Sequence, residues 1–230
     1  MNARVLATDY DGTIAWHGVV EPSTIRALRQ FKDSGRTLLL VTGREVPDLL
    51  SVFGEPTLFD LIVAENGGLL YSPVSRETRL LAPAPSPVFV DALRQAGVHP
   101  LSVGRVIVAT QENYFGVISE IIQRLSLNLR LILNKGALMV LPASVNKASG
   151  LRAALELLRI PAADVAGVGD AENDFAFLEL CGLSVAVANA IPELKTTVHR
   201  VTHADHGPGV EELIALLLQP AAGRTDCLAT

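Results

Sequence analysis

The sequence predicts an α/β protein with a doubly wound parallel sheet and a small inserted α+β domain. Three observations support this prediction. Apolar strands alternate with amphipathic helices over the first eighty residues, an order that is typical of parallel sheets. The alternation stops near residue 82 and resumes near residue 145. Short polar clusters follow directly after three of the strands, where a parallel sheet forms its binding crevice.

The first part of the core domain, residues 1–81, contains three predicted strands separated by two helices. The strands are apolar throughout, which is typical of a sheet covered on both faces. Pro22 suits the first turn of the first helix, and apolar residues recur at helical spacing in both helices. The predicted strands are Val5–Thr8, Thr37–Val41 and Leu61–Ala64, followed by a hairpin of residues 69–71 and 78–81.

The inserted segment, residues 82–144, lacks the regular alternation and is therefore predicted to be a domain of its own. It begins with Pro83, Pro85 and Pro87, which form a stiff extended linker. The predicted order is a helix (88–96), a strand (103–109), a helix (113–125) and two strands around Gly136.

The second part of the core domain, residues 145–230, returns to the first pattern. A helix begins near Lys147 and a strand spans Val165–Gly169. The remaining predicted elements are a helix at 172–180, strands at 183–187 and 198–201, and a closing helix at 210–218. The tail from Pro220 is predicted to be loose, because it is small and polar.

Composition excludes several classes of protein. The chain has 230 residues, 49% of them apolar, and a net charge of −5, which excludes a disordered chain. This acidic balance provides no general basic face for nucleic acid. No uncharged apolar run approaches the length of a membrane span. Cys181 and Cys227 form no metal or redox motif and suit a reducing compartment, so we expect a cytoplasmic protein. We expect it to be a monomer or a homodimer.

The polar clusters after the strands carry the predicted chemistry. They are Asp9-Tyr10-Asp11-Gly12-Thr13, Thr42-Gly43-Arg44 and Gly169-Asp170-Ala171-Glu172-Asn173-Asp174. If their strands are neighbours in the sheet, the clusters converge on one crevice.

Four carboxylates in such a crevice, from Asp9, Asp11, Asp170 and Asp174, need a cation or raised pKa values. Oxygen ligands without histidine or cysteine favour Mg²⁺. An aspartate can attack phosphorus and form an aspartyl-phosphate. A second carboxylate two residues later, on the same side of an extended segment, can donate a proton to the leaving group and then accept one from water.

Positive charge and neutral donors are needed for the phosphoryl oxygens. The chain has four lysines, and Lys147 is the best candidate, because it begins a helix where the chain re-enters the core. Lys135 lies in the inserted segment, at a predicted hairpin tip. Thr42 offers a hydroxyl and a backbone N–H at a strand end, directly before Gly43.

At these residues the sequence resembles the haloacid dehalogenase (HAD) superfamily of phosphotransferases. The four motifs of the superfamily match, in order, Asp9 to Thr13, Thr42, Lys147, and Gly169 to Asp174. The resemblance implies a Rossmann-like core. It also implies that Asp9 is the nucleophile and a Mg²⁺ ligand, and that Asp11 is the general acid/base with its backbone carbonyl on the metal.

The resemblance assigns the remaining site residues by position. Asp170 would be the second carboxylate ligand of the metal, and Asp174 would act through metal-bound water. Thr42, Gly43 and Lys147 would hold the phosphoryl group, and Asn173 would support that group or Lys147.

The insertion between the second and third motifs resembles the small type-2 cap of the Cof-like, class IIB subgroup. Glu65-Asn66-Gly67-Gly68 resembles a stretch of that subgroup, with Gly68 in place of the usual alanine. A cap of about sixty residues is similar to those of phosphoglycolate, sucrose-phosphate and mannosyl-phosphoglycerate phosphatases. The resemblance therefore implies a small phosphate monoester as substrate, of the phosphoglycolate or sugar phosphate type.

Each motif also has a purely structural interpretation. The first motif, with its Asp-Gly pair, is also compatible with a solvated turn. Arg44 is typical of a surface salt bridge, and Glu65 and Asn66 can shape a turn. Asn173 and Asp174 can cap the following helix. His203 and His206, which flank a glycine-rich turn, are predicted to be surface residues.

Two other functions remain open from the sequence. A phosphomutase of the same superfamily shares the motifs, although the short cap argues against it. A non-catalytic module that binds a phosphate ligand is the alternative from another class, but every expected catalytic position is filled.

Overall fold

The computed structural model describes residues 3–219, so the predicted tail from Pro220 and Cys227 lie outside the described residues. The strands are β1 Val5–Thr8, β2 Ala15–Trp16, β3 Val19–Val20, β4 Thr37–Val41, β5 Leu61–Ala64, β6 Leu69–Tyr71, β7 Thr78–Leu80, β8 Ser102–Val103, β9 Val108–Gln111, β10 Leu129–Asn134, β11 Ala137–Pro142, β12 Val165–Gly169, β13 Leu183–Ala186 and β14 Arg200–Val201. The helices are α1 Pro22–Asp33, α2 Val46–Val52, α3 Pro87–Gln95, α4 Phe115–Arg124, α5 Lys147–Leu158, α6 Phe175–Leu180, α7 Pro192–Lys195 and α8 His206–Leu218.

The main sheet has eight strands in the order β14-β13-β12-β1-β4-β5-β6-β7. The six strands from β14 to β5 are parallel, whereas β6 and β7 form an antiparallel hairpin at one edge. The chain winds from β1 through β4 to β5 in one direction and from β12 through β13 to β14 in the other. This order confirms the predicted doubly wound α/β fold and places its switch point between β1 and β12.

The central strands are buried along their whole length, which explains their apolar sequence. Every residue of β1, β5 and β12 is buried. Helix α1 packs on β4 and α8, and α5 packs on β5 and α6. Covered on both faces, the sheet holds the loops at its carboxyl ends in fixed positions.

The inserted segment has a sheet and an apolar cluster of its own. Its antiparallel sheet has the order β10-β11-β9-β8. Side chains from α3, α4 and the sheet form the cluster, among them Phe89, Leu93, Ile118 and Leu138. Within residues 3–219, no helix combines the length and the apolar character that a membrane crossing requires.

The predicted strand at 103–109 is wrong, because the chain turns back there and forms the separate strands β8 and β9. Predicted ends are also wrong at β14, which begins at residue 200, and at α8, which begins at His206 instead of 210. Gly207 and Gly209 do not form a turn. They lie inside α8, where an added Cβ would overlap Thr24 at Gly207 and the Ala204 carbonyl at Gly209.

Candidate active site

The loops after β1, β4 and β12 lie side by side, because these three strands are neighbours in the sheet. Asp9 follows β1, Thr42 follows β4, and Asp170 follows β12. The chain thus brings together residues that are up to 161 positions apart. The convergence places the site at the switch point, where open parallel sheets bind their ligands.

Three carboxylates form the centre of the site. Asp9, Asp170 and Asp174 each offer one oxygen, and these oxygens lie within 4.8 Å of one another. All three residues are buried; Asp170 and Asp174 are fully buried and Asp9 is 5% exposed. Such a group of like charges is stable only if protons or cations neutralise it.

Lys147 faces two of the three carboxylates. Its Nζ lies 2.5 Å from Asp9 Oδ1 and 2.6 Å from Asp174 Oδ1, and its side chain is only 1% exposed. It is the first residue of α5, whose N-terminus is fixed by a reciprocal capping box between Asn146 and Ser149. Burial alone would lower the pKa of Lys147, but the two carboxylates outweigh burial and raise it above its ordinary value. Lys147 is therefore a fixed ammonium group.

Neighbouring charges offset the effect of burial less well at Asp9 and Asp170 than at Lys147. Burial raises the pKa of Asp9 well above its ordinary value of 3.8, and Lys147 offsets this only in part, because Asp174 and Asp170 act against it. Burial and Asp174 likewise raise the pKa of Asp170, while Lys135 opposes them. In the part of the chain that the structure describes, the three carboxylates face only the two ammonium groups of Lys147 and Lys135, and their all-oxygen donor set fits a hard divalent cation.

Asp174 also has a structural role. Its Oδ2 accepts hydrogen bonds from the backbone N–H groups of Asp170 and Ala171, at 2.8 and 3.0 Å. This interaction closes the loop after β12 and leaves Oδ1 for Lys147. Its side chain makes no capping hydrogen bond to α6, which begins at the next residue.

Asp11 is not part of the group of carboxylates around Asp9. The chain turns at once after β1, because the carbonyl of Tyr10 accepts N–H groups from Ile14 and Ala15. The Asp11 carboxylate instead forms a bidentate pair with Arg44, at 2.7 Å from Nε and 2.8 Å from Nη2.

Arg44 also binds Asp48 at 2.6 Å, so it forms the salt bridges that are typical of such an arginine. The hydrogen bonds that Arg44 donates to Asp11 are the main reason that the pKa of Arg44 is raised. The Asp11 side chain, 45% exposed, is held outside the carboxylate cluster in this structure.

Thr42 and Gly43 lie at the end of β4, beside β1. Thr42 is buried, and its Oγ1 accepts the backbone N–H of Arg44 at 3.1 Å. Gly43 faces the inserted segment: a Cβ on Gly43 would lie 3.0 Å from Cε of Met139 and 3.8 Å from Nδ2 of Asn173. A Cβ at position 43 would therefore be tight against Met139 and in ordinary van der Waals contact with Asn173.

Asn173 belongs to a chain of side-chain contacts that leads from the loop after β12 into the inserted segment. Its Nδ2 donates to Asn66 Oδ1 at 3.1 Å, and Asn66 Nδ2 contacts Met139 Sδ at 3.2 Å. The Oδ1 of Asn173 is buried and has no hydrogen-bond partner within residues 3–219. Asn66 thus does more than shape its turn.

Asn189 and His206 hold the loop after β1 in place. The Gly12 carbonyl accepts hydrogen bonds from Asn189 Nδ2 at 2.8 Å and pairs with His206 Nδ1 at the same distance. His206 is half-buried and stacks on Trp16. The prediction of a surface residue is therefore wrong for His206, whereas His203 is exposed.

Lys135 was not predicted as a site residue, yet its ammonium contacts the Asp170 carboxylate. It reaches the site from the tip of the β10–β11 hairpin, across Gly12. A Cβ on Gly12 would overlap Asp170 and lie 3.1 Å from the Lys135 Nζ. The excess of carboxylates over lysines near the strand ends is the sequence signal that could have identified it.

Glu65 connects the two sheets. Its buried carboxylate accepts the backbone N–H groups of Arg105, Val106 and Ile107, at 3.0, 2.6 and 3.0 Å. This loop joins β8 to β9, and the contact explains why the chain turns there. Glu65 itself adopts a left-handed backbone, with φ of 50°.

Comparison with known proteins agrees with this geometry. The profile of haloacid dehalogenase-like hydrolases matches residues 6–101 and 99–214. A phosphoglycolate phosphatase of Methanothermobacter thermautotrophicus is 32% identical over 92% of this chain and 97% of its own. Phosphoglycolate phosphatase 2 of Saccharolobus solfataricus is 29% identical over 97% of this chain and 96% of its own.

A solved structure shares the fold. A haloacid dehalogenase-like hydrolase of Bacteroides thetaiotaomicron superposes with a TM-score of 0.82 over 94% of this chain and 100% of its own, at 19% identity. The chain therefore belongs to the haloacid dehalogenase-like hydrolases and is a phosphatase of that family.

Proposed function

We propose that the protein hydrolyses a small phosphate monoester, of the phosphoglycolate or sugar phosphate type, with Mg²⁺ and through an aspartyl-phosphate on Asp9. One observation carries the proposal. Three buried carboxylates from two neighbouring loops lie within 4.8 Å of one another, and a fixed ammonium group bridges two of them.

The positive charge of Lys147 supports Asp9 as the nucleophile. An ionised carboxylate is needed for attack, and Lys147 favours that form against the effect of burial. Thr42, Gly43, Lys147 and Asn173 would hold the phosphoryl group. The Oδ1 of Asn173, which is buried and has no hydrogen-bond partner within residues 3–219, supports such a polar pocket. The loops after β1 and β12, which are held by backbone hydrogen bonds, support it as well.

Asp9, Asp170 and Asp174, together with the backbone carbonyl of Asp11, would hold Mg²⁺. When bound, the ion would neutralise negative charge on the transferring phosphoryl group. The acidic, all-oxygen donor set and the raised pKa values of Asp9 and Asp170 support this assignment.

Asp9 forms a bond to phosphorus while the bond from phosphorus to the ester oxygen breaks. Asp11 gives its proton to the departing oxygen. Water then attacks the aspartyl-phosphate, Asp11 takes back a proton, and phosphate and the free Asp9 carboxylate result. Asp11 must leave Arg44 to do this, since the pair holds its carboxylate outside the cluster.

The inserted segment would act as a cap that covers the bound substrate and excludes water. We propose residues 1–81 and 145–230 as the core domain and residues 82–144 as the cap domain. The separate sheet and apolar cluster of the inserted segment support this division. The names of the phosphoglycolate phosphatases that resemble this chain support a small anionic substrate.

The test is phosphate release from phosphoglycolate, sugar phosphates and p-nitrophenyl phosphate, with Mg²⁺ and with EDTA. We expect turnover that needs Mg²⁺ and that Asp9→Asn abolishes without unfolding the protein. Activity of more than a few per cent in Asp9→Asn, or full activity in EDTA, would contradict the proposal. A sugar 1-phosphate in the panel separates hydrolysis from a mutase reaction, since only hydrolysis releases phosphate.

A further inference from the structure

We propose that Lys135 is a specificity-determining residue that binds a carboxylate on the leaving group of the substrate. This inference rests on the proposed phosphatase function and deepens it, because it chooses between two substrate classes. Phosphoglycolate carries a carboxylate beside its phosphate ester, whereas the leaving group of a simple sugar phosphate carries only neutral hydroxyls.

The hairpin tip carries Lys135 to the site. The residue sits in the two-residue turn between Asn134 and Ala137, which are paired across β10 and β11. The Gly136 carbonyl accepts the N–H of Glu112 at 3.0 Å, which ties the tip to its own domain. From there the ammonium of Lys135 extends over Gly12 to Asp170.

The two lysines of the site differ in exposure. The side chain of Lys147 is 1% exposed and is held by two carboxylates. The Lys135 side chain is 44% exposed and contacts one carboxylate, that of Asp170. Lys147 is therefore committed to the nucleophile, whereas Lys135 remains accessible to a ligand that enters the crevice.

A divalent cation and Lys135 have overlapping roles at Asp170. The Asp170 carboxylate is fully buried, and the ammonium of Lys135 contacts it. A cation held by Asp9, Asp170 and Asp174 would supply that positive charge instead. The ammonium group would then be available to an anion of the substrate.

The position of the hairpin matches the leaving group. In phosphoryl transfer the nucleophile and the leaving oxygen lie roughly in line, on opposite sides of phosphorus. If Asp9 attacks from the core loop after β1, the leaving group would extend toward the hairpin that reaches over Gly12. That hairpin contacts the core loops through Lys135 and Met139, of which only Lys135 is charged.

The first experiment compares Lys135→Met with the unchanged protein on two esters. Phosphoglycolate carries the carboxylate, and ethyl phosphate has a methyl group in its place. We expect kcat/KM for phosphoglycolate to fall by about 10- to 100-fold, as for loss of a charge-assisted hydrogen bond. The value for ethyl phosphate should change by less than about threefold, and Lys135→Arg should retain most of the preference.

A binding experiment makes the test independent of turnover. Calorimetry with Mg²⁺ compares 3-phosphonopropionate, the uncleavable analogue of phosphoglycolate, with propylphosphonate, which lacks the carboxylate. Lys135→Met should weaken only the first ligand. This binding experiment tests the role of Lys135 even if the protein hydrolyses neither ester. Failure to hydrolyse either ester would contradict the proposed function but not the inference about Lys135.

Arg130→Met is the matched control, because it removes an exposed cationic side chain from β10, the strand that leads into the turn of Lys135. It should leave both ligands unaffected. Equal weakening of both ligands by Lys135→Met, no weakening of either, or the same selective loss in Arg130→Met would overturn the inference.

Discussion

Replacement of Lys147 by methionine tests the electrostatic centre of the site. The variant keeps an unbranched, slightly shorter side chain but removes the ammonium group. Asp9 and Asp174 then lose their partner, at 2.5 and 2.6 Å, in an environment from which water is excluded. The ring of Phe177, 5.7 Å from the ammonium, cannot replace the lost charge.

The expected loss is large because the group is fully buried. Removing one partner of a buried ion pair costs about 3–5 kcal/mol in the free energy of unfolding. For a chain of this size, that corresponds to a fall in Tm of about 6–20 °C. The raised pKa of Lys147 means that its contribution is fully present below its ordinary value of 10.5, and therefore at pH 7.5.

The assay is urea unfolding of the metal-free protein at pH 7.5, with Lys32→Met as the matched control. Lys32 donates to the carbonyls of Thr57 and Leu58 and lies 3.2 Å from Asp60, but its side chain is 32% exposed. We expect its replacement to cost only about 1 kcal/mol. If Lys147→Met is no more destabilising than Lys32→Met, the reasoning on the buried cluster is wrong.

Two further outcomes follow from the same structure. Burial raises the pKa of Asp9, so the folded metal-free protein keeps a proton that the unfolded chain releases, and its stability should fall as pH rises from 3.8 through the raised pKa. Urea unfolding at several pH values should show a smaller fall in Asp9→Asn; an equal fall would contradict this. Glu65→Gln should cost about 1.5–3 kcal/mol, since a charged acceptor of three N–H groups is lost. Hydrogen exchange should then accelerate at residues 105–107 specifically, and unchanged protection there would show that Glu65 does not hold the loop.

The sheet was predictable because its signals are local. Each central strand is a short apolar run, and β1, β4, β5 and β12 were predicted with their correct ends. The polar loops follow these strands directly. Strand adjacency then suffices to bring Asp9, Asp170 and Asp174 together, without knowledge of any side-chain conformation.

The contacts of the inserted segment were not predictable in this way. Lys135 reaches Asp170 only because the β10–β11 hairpin docks over the loop after β1, and nothing in the hairpin sequence specifies that docking. Glu65 contacts backbone N–H groups some forty residues away, which any sequence can provide. A backbone partner leaves no signature in residue type.

Side-chain direction in the loops was the other source of error. Asp11 was expected beside Asp9, but its carboxylate pairs with Arg44, which the sequence does not specify. The glycines near His206 suggested a turn, whereas they serve close packing in α8. In both cases the residue type is compatible with more than one local arrangement, and the sequence alone does not specify which one forms.

Calorimetric titration with Mg²⁺ tests most directly whether the converging carboxylates form a cation site. We expect one ion to bind per chain, and Asp170→Asn to weaken it by at least about tenfold, since even loss of an outer partner of a metal ligand costs about 10- to 100-fold. Asp11→Asn keeps the backbone carbonyl and should bind Mg²⁺ almost as well as the unchanged protein. Absence of binding, or equal affinity in Asp170→Asn, would contradict the account.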